Sequence, residues 1–151
     1  MTYTHNTDTP VGEMYLCGND TAITQLRFGH SEAEAPSPLL LEAEKELLEY
    51  FAGKRKEFDL PLEPEGTGFQ KKVWQALRDI PFGETRSYGE IAAAVGNPKA
   101  CRAVGMANNR NPIAIITPCH RVIGADGKLT GYAGGLGIKE FLLEHERRMC
   151  L

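Results

Sequence analysis

The sequence predicts an α+β protein in two parts: a small antiparallel sheet with one helix in residues 1–65, packed on a mainly helical domain in residues 66–151 that contains a helix-turn-helix. Three observations predict it. Segments with strand character, separated by a turn-rich tripeptide, cluster at the start of the chain. After Gly68 the pattern changes to helix caps followed by apolar residues at helical spacing. Between the two lies Pro61 to Gly68, whose prolines and glycines suit a linker.

In chain order, Val11 to Cys17 and Ala22 to Phe28 are short strand candidates around Gly18-Asn19-Asp20, a hairpin loop by composition. Lys56 to Leu62 alternates, with Phe58, Leu60 and Leu62 on one face, and is expected to add a third strand. Between them Ser37-Pro38 supplies a helix N-cap and an N1 proline. Leu40, Ala43, Leu47 and Tyr50 or Phe51 then recur at helical spacing until Gly53. His5, Cys17 and His30 have no zinc-ligand spacing, so surface or core positions are expected for them rather than a metal site.

In the second part Thr67 and Gln70 form a capping box, followed by Phe69, Val73, Trp74, Leu77 and Ile80 on one helical face, with Trp74 as a core anchor. Pro81-Phe82-Gly83 stops that helix. Ser87 and Glu90 form a second box and open a short helix with Ile91, Ala92 and Val95 inward. Gly96-Asn97-Pro98 ends it and puts Pro98 at N1 of the next helix, expected from Lys99 to about Asn108. Two short Ala-rich helices joined by a tight Gly-containing turn have the form of a helix-turn-helix, although many helix pairs with no nucleic-acid role look the same.

The chain then runs Asn-Pro-Ile-Ala-Ile-Ile-Thr-Pro-Cys-His-Arg from Asn111 to Arg121. Ile113 to Ile116 reads as a β-type run that delivers the backbone through Thr117-Pro118 to Cys119, with His120 and Arg121 directly behind. A thiolate, the nucleophilic form of cysteine, is favoured near a protonated histidine, an arginine or backbone N–H groups. A cysteine after a buried strand also serves as a small core hydrophobe. Cys17, Cys101, Cys119 and Cys150 lie far apart without a C-x-x-C pair, which argues against a zinc knuckle or a disulfide framework.

The net charge of −3 hides an asymmetry: residues 1–65 carry 5 Lys/Arg against 13 Asp/Glu, and residues 66–151 carry 12 against 7. A basic half joined to an acidic one suggests that only the second meets a polyanion, with salt-sensitive binding. Uneven surface charge alone has the same appearance. No apolar run approaches the roughly 18 residues needed to span a bilayer, and the polar start has no signal-peptide character, so a cytoplasmic protein is expected.

Pro118-Cys119-His120-Arg121, with Asn-Pro-Ile-Ala-Ile-Ile-Thr before it and Val-Ile-Gly after it, resembles the active-site signature of the O6-alkylguanine-DNA alkyltransferases, which repair DNA by direct reversal of damage. The likeness continues, with ungapped spacing, through Y-G-E-I-A-A-A-V-G-N-P-K-A-C-R-A-V-G upstream and T-G-Y-A-G-G-L-G-I-K-E-F-L-L-E-H-E downstream, covering about Thr67 to Glu146. The first 65 residues resemble the family only loosely. The resemblance implies an RNase H-like layer for the N-terminal structural domain. It also implies one irreversible transfer per molecule from O6-alkylguanine in double-stranded DNA to Cys119, with O4-alkylthymine left open. No cofactor follows from the same likeness; no metal is expected from the ligand spacing, and no obligate protein partner and a monomer are expected by default, the sequence leaving the oligomeric state open.

Roles are implied residue by residue. His120 matches the general base that acts through a bridging water, and Glu146 the carboxylate that fixes the imidazole and favours its charged form. By residue type alone, Glu146 is equally a solvated partner of Arg147 or Arg148. Asn111 matches the asparagine that ties the loop before the cysteine to the recognition-helix segment. Tyr88 matches a tyrosine that donates to N3 of an extruded base, stabilising charge on the departing guanine. The carbonyls of Cys119 and Val122 match acceptors for the exocyclic amine, and the N–H near Ala133, in a flexible glycine-rich lid, a contact to O6. Arg102 matches the arginine that fills the stack once the base is flipped, with Ala100, Ala103 and Ala107 allowing close approach to the minor groove. Thr117, Cys101 and Ala133 depart from the usual pattern without removing a required group.

Other readings are a non-catalytic alkyltransferase-like damage-binding protein, a thiol hydrolase and a plain transcription regulator. The first lacks the cysteine and generally the N-terminal domain. The second leaves the helix pair and Arg102 without purpose, and the third has no need of an activated thiol.

Overall fold

The computed structural model describes residues 1–132 and 134–150. They form two compact units, one of residues 1–65 with 112–116 and the other of residues 66–111 with the chain from 117 onward. The stretch 112–116 thus groups with the first unit, although the sequence boundary put it with the second.

In the first unit β1 (Tyr3–Thr9), β2 (Gly12–Gly18) and β3 (Ile23–Phe28) form an antiparallel sheet in that order, with α1 (Pro38–Phe51) against it. The hairpin register sets Leu16 opposite Leu26, and alternation along β2 buries Met14, Leu16 and Gly18. These meet Leu40, Ala43, Leu47 and Tyr50, which share one stripe of α1 and are fully buried. Each such aliphatic side chain contributes roughly 1.5–3 kcal/mol relative to exposure. Ser37 caps α1 through its hydroxyl with Pro38 in the first turn, as its sequence predicts.

Three local expectations change. Tyr3–Thr9 is a full strand whose buried residues are Thr4 and Thr7, on opposite faces, so it lacks the apolar alternation that marks a strand in sequence. Lys56 to Leu62 is not a strand. Only Leu62 bridges, parallel to Ile23 on the outer edge of β3, and Pro61 has no N–H to extend a ladder. Ile113 to Ile116 is likewise a single bridge, Ile113 to Leu26, followed by a turn with Ile115 at φ 69°. All four residues are buried, so compact packing rather than strand pairing answers their hydrophobicity. A β-branched residue in the left-handed region is a strained conformation that the surrounding core must hold.

The second unit contains α2 (Gly68–Arg78), β4 (Arg86–Ser87), α3 (Tyr88–Ala94), α4 (Cys101–Asn109), a 3-10 turn (Cys119–Arg121), β5 (Val122–Ile123) and α5 (Leu136–Met149). Both predicted capping boxes are formed, Thr67 with Gln70 and Ser87 with Glu90. Val73, Trp74 and Leu77 of α2 pack with Ile91, Ala92, Val104 and Ala107 in one core. The Trp74 indole N–H donates to the Ala107 carbonyl at 2.8 Å, anchoring α2 to α4. Helix α4 begins later than expected, at Cys101 with Ala100 as N-cap, because Pro98 and Lys99 are used in the turn. Among the described residues no helix is long and apolar enough to cross a membrane.

Candidate active site

Every sequence-predicted site residue that the structure describes falls in the second unit, and Ala133 lies outside the described residues. Cys119, His120 and Arg121 form the 3-10 turn, all three side chains buried, in place of the strand end expected from the sequence. Directly after it, β5 pairs in parallel with β4, setting Val122 opposite Arg86 and Ile123 opposite Ser87. Ser87 is also the cap of α3, so this short ladder ties Tyr88, the first residue of that helix, to the turn that carries the thiol.

Behind the thiol, His120 Nε2 lies 2.6 Å from Glu146 Oε2. Arg121 grips the same carboxylate, Nε to Oε1 at 2.8 Å and Nη2 to Oε2 at 3.1 Å, while Nη1 donates to the Ile80 carbonyl at 2.7 Å. Its guanidinium lies 5.7 Å from the centroid of Phe82, and the Gly83 N–H donates to Oε1 at 3.4 Å. The turn that stops α2 therefore closes over the carboxylate. Arg147 and Arg148, the solvated partners that residue type alone offers, pair with Glu144 instead.

Burial raises the Glu146 carboxyl, but the hydrogen bonds and charges of His120 and Arg121 outweigh it and hold the group far below the usual carboxylate range. At His120 burial prevails and pushes the imidazole below its ordinary value, against the pull of Glu146 and together with the charges of Arg121 and Lys139. Burial pushes the Cys119 thiol up, opposed by an Asn111 hydrogen bond, the charge of Lys139 and the Tyr132 hydroxyl. Both directions favour a neutral thiol and a neutral imidazole, since burial disfavours two separated charges, while Glu146 pulls the imidazole toward its charged form. With Nε2–H donating to the carboxylate, Nδ1 is the basic nitrogen, buried and without a hydrogen bond to the described residues.

Asn111 Nδ2 donates to the Thr117 carbonyl at 2.7 Å, spanning the loop that leads into the turn. The Tyr88 hydroxyl shares a hydrogen bond with Thr130 Oγ1 at 2.9 Å. The Val122 carbonyl accepts from Lys139 Nζ at 2.6 Å, which also donates to Thr130 O at 2.8 Å, and the second lone pair of Val122 leaves room for another donor. On α4, Arg102 and Ala103 are exposed and Ala100 is half-buried. Ala107 is in the core at 2% exposure, so it does not lie on the outer face where the sequence reading put it. Val104, Ala107 and Asn108 share the inner stripe of the helix, and the side chain that projects from the outer face nearby is Met106.

Sequence reasoning passed over Arg121, Tyr132 and Lys139. Arg121 stood within the quoted motif without a role. Lys139 carried a usable signal, since it precedes Leu142 by three and Glu146 by seven on the inner face of α5, an unusual place for a solvated lysine. Tyr132 carried none beyond its place in the glycine-rich loop.

A buried cysteine with a histidine–carboxylate dyad behind it, on a domain whose paired short helices present an arginine to solvent, defines a thiol group-transfer protein. Residues 68–148 match the DNA binding domain of 6-O-methylguanine DNA methyltransferase, and residues 2–64 match its ribonuclease-like domain. The chain belongs to the 6-O-methylguanine DNA methyltransferase family. It is 57% identical to a methylated-DNA–protein-cysteine methyltransferase of Methanosarcina acetivorans, with 92% of this chain and 94% of that protein covered. It is 50% identical to the constitutive protein of that name in Bacillus subtilis, over 97% of this chain and 96% of the relative. Among solved structures, Mycobacterium tuberculosis OGT in complex with DNA superimposes with a TM-score of 0.91 at 50% identity, covering 97% of this chain and 94% of the other.

Proposed function

We propose that this protein repairs DNA by direct reversal, moving the alkyl group of O6-alkylguanine in double-stranded DNA onto Cys119 in a single irreversible turnover. The observation that carries the reading is the relay behind the thiol, in which Glu146 holds Nε2 of His120 and leaves Nδ1 as the base. His120 Nδ1 takes the thiol proton through a bridging water, and Sγ attacks the alkyl carbon. The carbon–O6 bond breaks with its electron pair leaving on guanine. The proton released from sulfur balances the charge on the departing base, so S–H and C–O are exchanged for S–C and N–H. The thioether has no leaving group, which limits each molecule to one transfer.

Residues 66–151 carry this chemistry and the DNA contacts, and residues 1–65 serve as a structural domain. The turn-linked pair α3 and α4 acts as a helix-turn-helix laid in the minor groove, with the target base flipped out and Arg102 in its place in the stack. Tyr88 exchanges its Thr130 partner for N3 of the flipped base, and the carbonyls of Cys119 and Val122 accept from the exocyclic amine. Asn111 acts by holding the loop to Thr117. All of these groups come from one chain, which fits a monomer, and four free cysteines fit a reducing cytoplasm.

The test is to mix the protein with a duplex carrying isotope-labelled O6-methylguanine and map the label by peptide mass spectrometry. One equivalent on Cys119 supports the reading. Label on another residue, or more than one turnover per molecule, overturns it.

A further inference from the structure

We propose that Met106 and Arg110 form a second DNA contact beside Arg102, Met106 seating as an apolar wedge in the minor groove and Arg110 holding a backbone phosphate. This deepens the reading above and rests on its placement of α4 in that groove.

Arg102, Met106 and Arg110 follow one another at four-residue intervals along α4 and its C-cap, and so share one face. All three are exposed, opposite the stripe that Val104, Ala107 and Asn108 bury. Met106 is 60% exposed, more than any other large apolar side chain among the described residues except Met1. Among the described residues neither Arg102 nor Arg110 has a carboxylate within ion-pair distance, a property they share with Arg27 and Arg78, whereas Arg55, Arg86, Arg121, Arg147 and Arg148 each have one.

A single exposed apolar side chain needs no partner by itself, but one flanked by two cations without ion pairs on the same helix face has the pattern of a contact surface. The covering surface must be anionic at two lips with an apolar strip between them. The minor groove has that character, with phosphates along both edges and sugars forming its walls. Methionine suits such a strip, being unbranched and able to adapt to an irregular surface. Gly105, one residue back, lies beside the Tyr88 ring, whose nearest carbons are 3.8 and 3.9 Å from the position of an added Cβ, while Met106 is exposed.

The contact is tested by measuring affinity for a fluorescent duplex containing O6-methylguanine across a salt series. The full chain carries Cys119→Ser throughout, so that no transfer intervenes, and Met106→Ala, Met106→Gln, Arg110→Gln and Arg102→Ala are compared on that background. Both Met106 variants are expected to lose about five- to tenfold in affinity with the salt slope unchanged, because an apolar contact releases no counterions. Arg110→Gln is expected to lose affinity and to lower the slope by about one. Met106 and Arg110 variants that bind as the parent does, while Arg102→Ala is weakened, overturn this proposal and leave the groove reading standing. Failure of the parent itself to bind the duplex overturns both.

Discussion

His120 and Glu146 meet at 2.6 Å with side-chain exposures of 0% and 1%, and Arg121 occupies the same carboxylate from its other side. One anion therefore serves two partners. It orients the imidazole by its Nε2–H, while burial first, and then the charges of Arg121 and Lys139, push the histidine below its ordinary value. The arrangement favours a base that is neutral until the thiol gives up its proton.

Glu146→Gln keeps the size of the side chain and removes the charge. Arg121 is then left buried without an anion, and breaking a buried pair in this way costs roughly 3–5 kcal/mol. The imidazole keeps at best a neutral amide acceptor in place of an anion, and transfer is expected to slow by about 100- to 10,000-fold. Single-turnover rates and urea unfolding read the two effects separately. A variant that transfers at the parent rate removes Glu146 from the relay.

Much of this site was legible because the chemistry-bearing residues are contiguous. Cys119, His120 and Arg121 are neighbours in the chain, and the boxes at Thr67 and Ser87 fix the helices around them by local rules. What escaped depends on distance in the chain. By residue type alone Glu146 could not be told from its neighbours, and only the family resemblance singled it out; α5 turns it inward and Glu144 outward to Arg147 and Arg148. Ala107 and Met106 are adjacent in sequence, and in a helix rich in alanine only the packing of Val104, Ala107 and Asn108 into the core shows which of the two faces out. The neutral state of the thiol follows from its complete burial, which no local pattern encodes. Strand β1 was missed for the opposite reason, since its pairing with β2 is backbone work and its buried side chains are threonines.

Lys139→Met retains the bulk of the side chain and loses the ammonium. Lys139 is buried, bridges the Val122 and Thr130 carbonyls, and is a favourable charge for the ionised thiol. Without it two carbonyls lose a donor and the thiolate loses electrostatic support, so transfer is expected to slow by about ten- to a hundredfold. Alkylation of Cys119 followed by stopped-flow detects the change. An unaltered rate assigns Lys139 to folding alone.

Trp74→Phe tests the core beneath the helix pair. The Ala107 carbonyl loses its indole donor and the core loses volume, for a destabilisation of about 1–3 kcal/mol. Thermal melting is expected to fall by several degrees. No shift in melting temperature shows that the indole bond adds nothing net.

Arg102→Ala should weaken the reaction with duplex substrate far more than reaction with the free base O6-methylguanine. Filling the vacated stack recovers part of an unstacking cost of a few kcal/mol, and a free base has no stack to refill. Parallel rate measurements on the two substrates decide it. Equal losses on both contradict the stack-filling role and place Arg102 in the fold or the pocket.

The pH response follows from the directions of three shifts. Glu146 is depressed from an ordinary 4.5, so its contribution to stability is present above that value and is lost as the pH falls toward its folded value. His120 is depressed from 6.5, so folding stability also declines below pH 6.5, where the unfolded chain binds the proton that the buried imidazole refuses. Cys119 is raised from 9.0, so its contribution is complete below that pH and is lost as the pH rises toward the folded value, because the unfolded thiol ionises first. These three groups together favour a stability plateau between pH 6.5 and 9.0. The transfer rate requires a neutral His120, so its acid limb is expected below pH 6.5. Urea unfolding and single-turnover rates from pH 4 to pH 10 trace both curves. An acid limb centred above pH 6.5 means that Glu146 outweighs burial and that the relay starts from an ion pair.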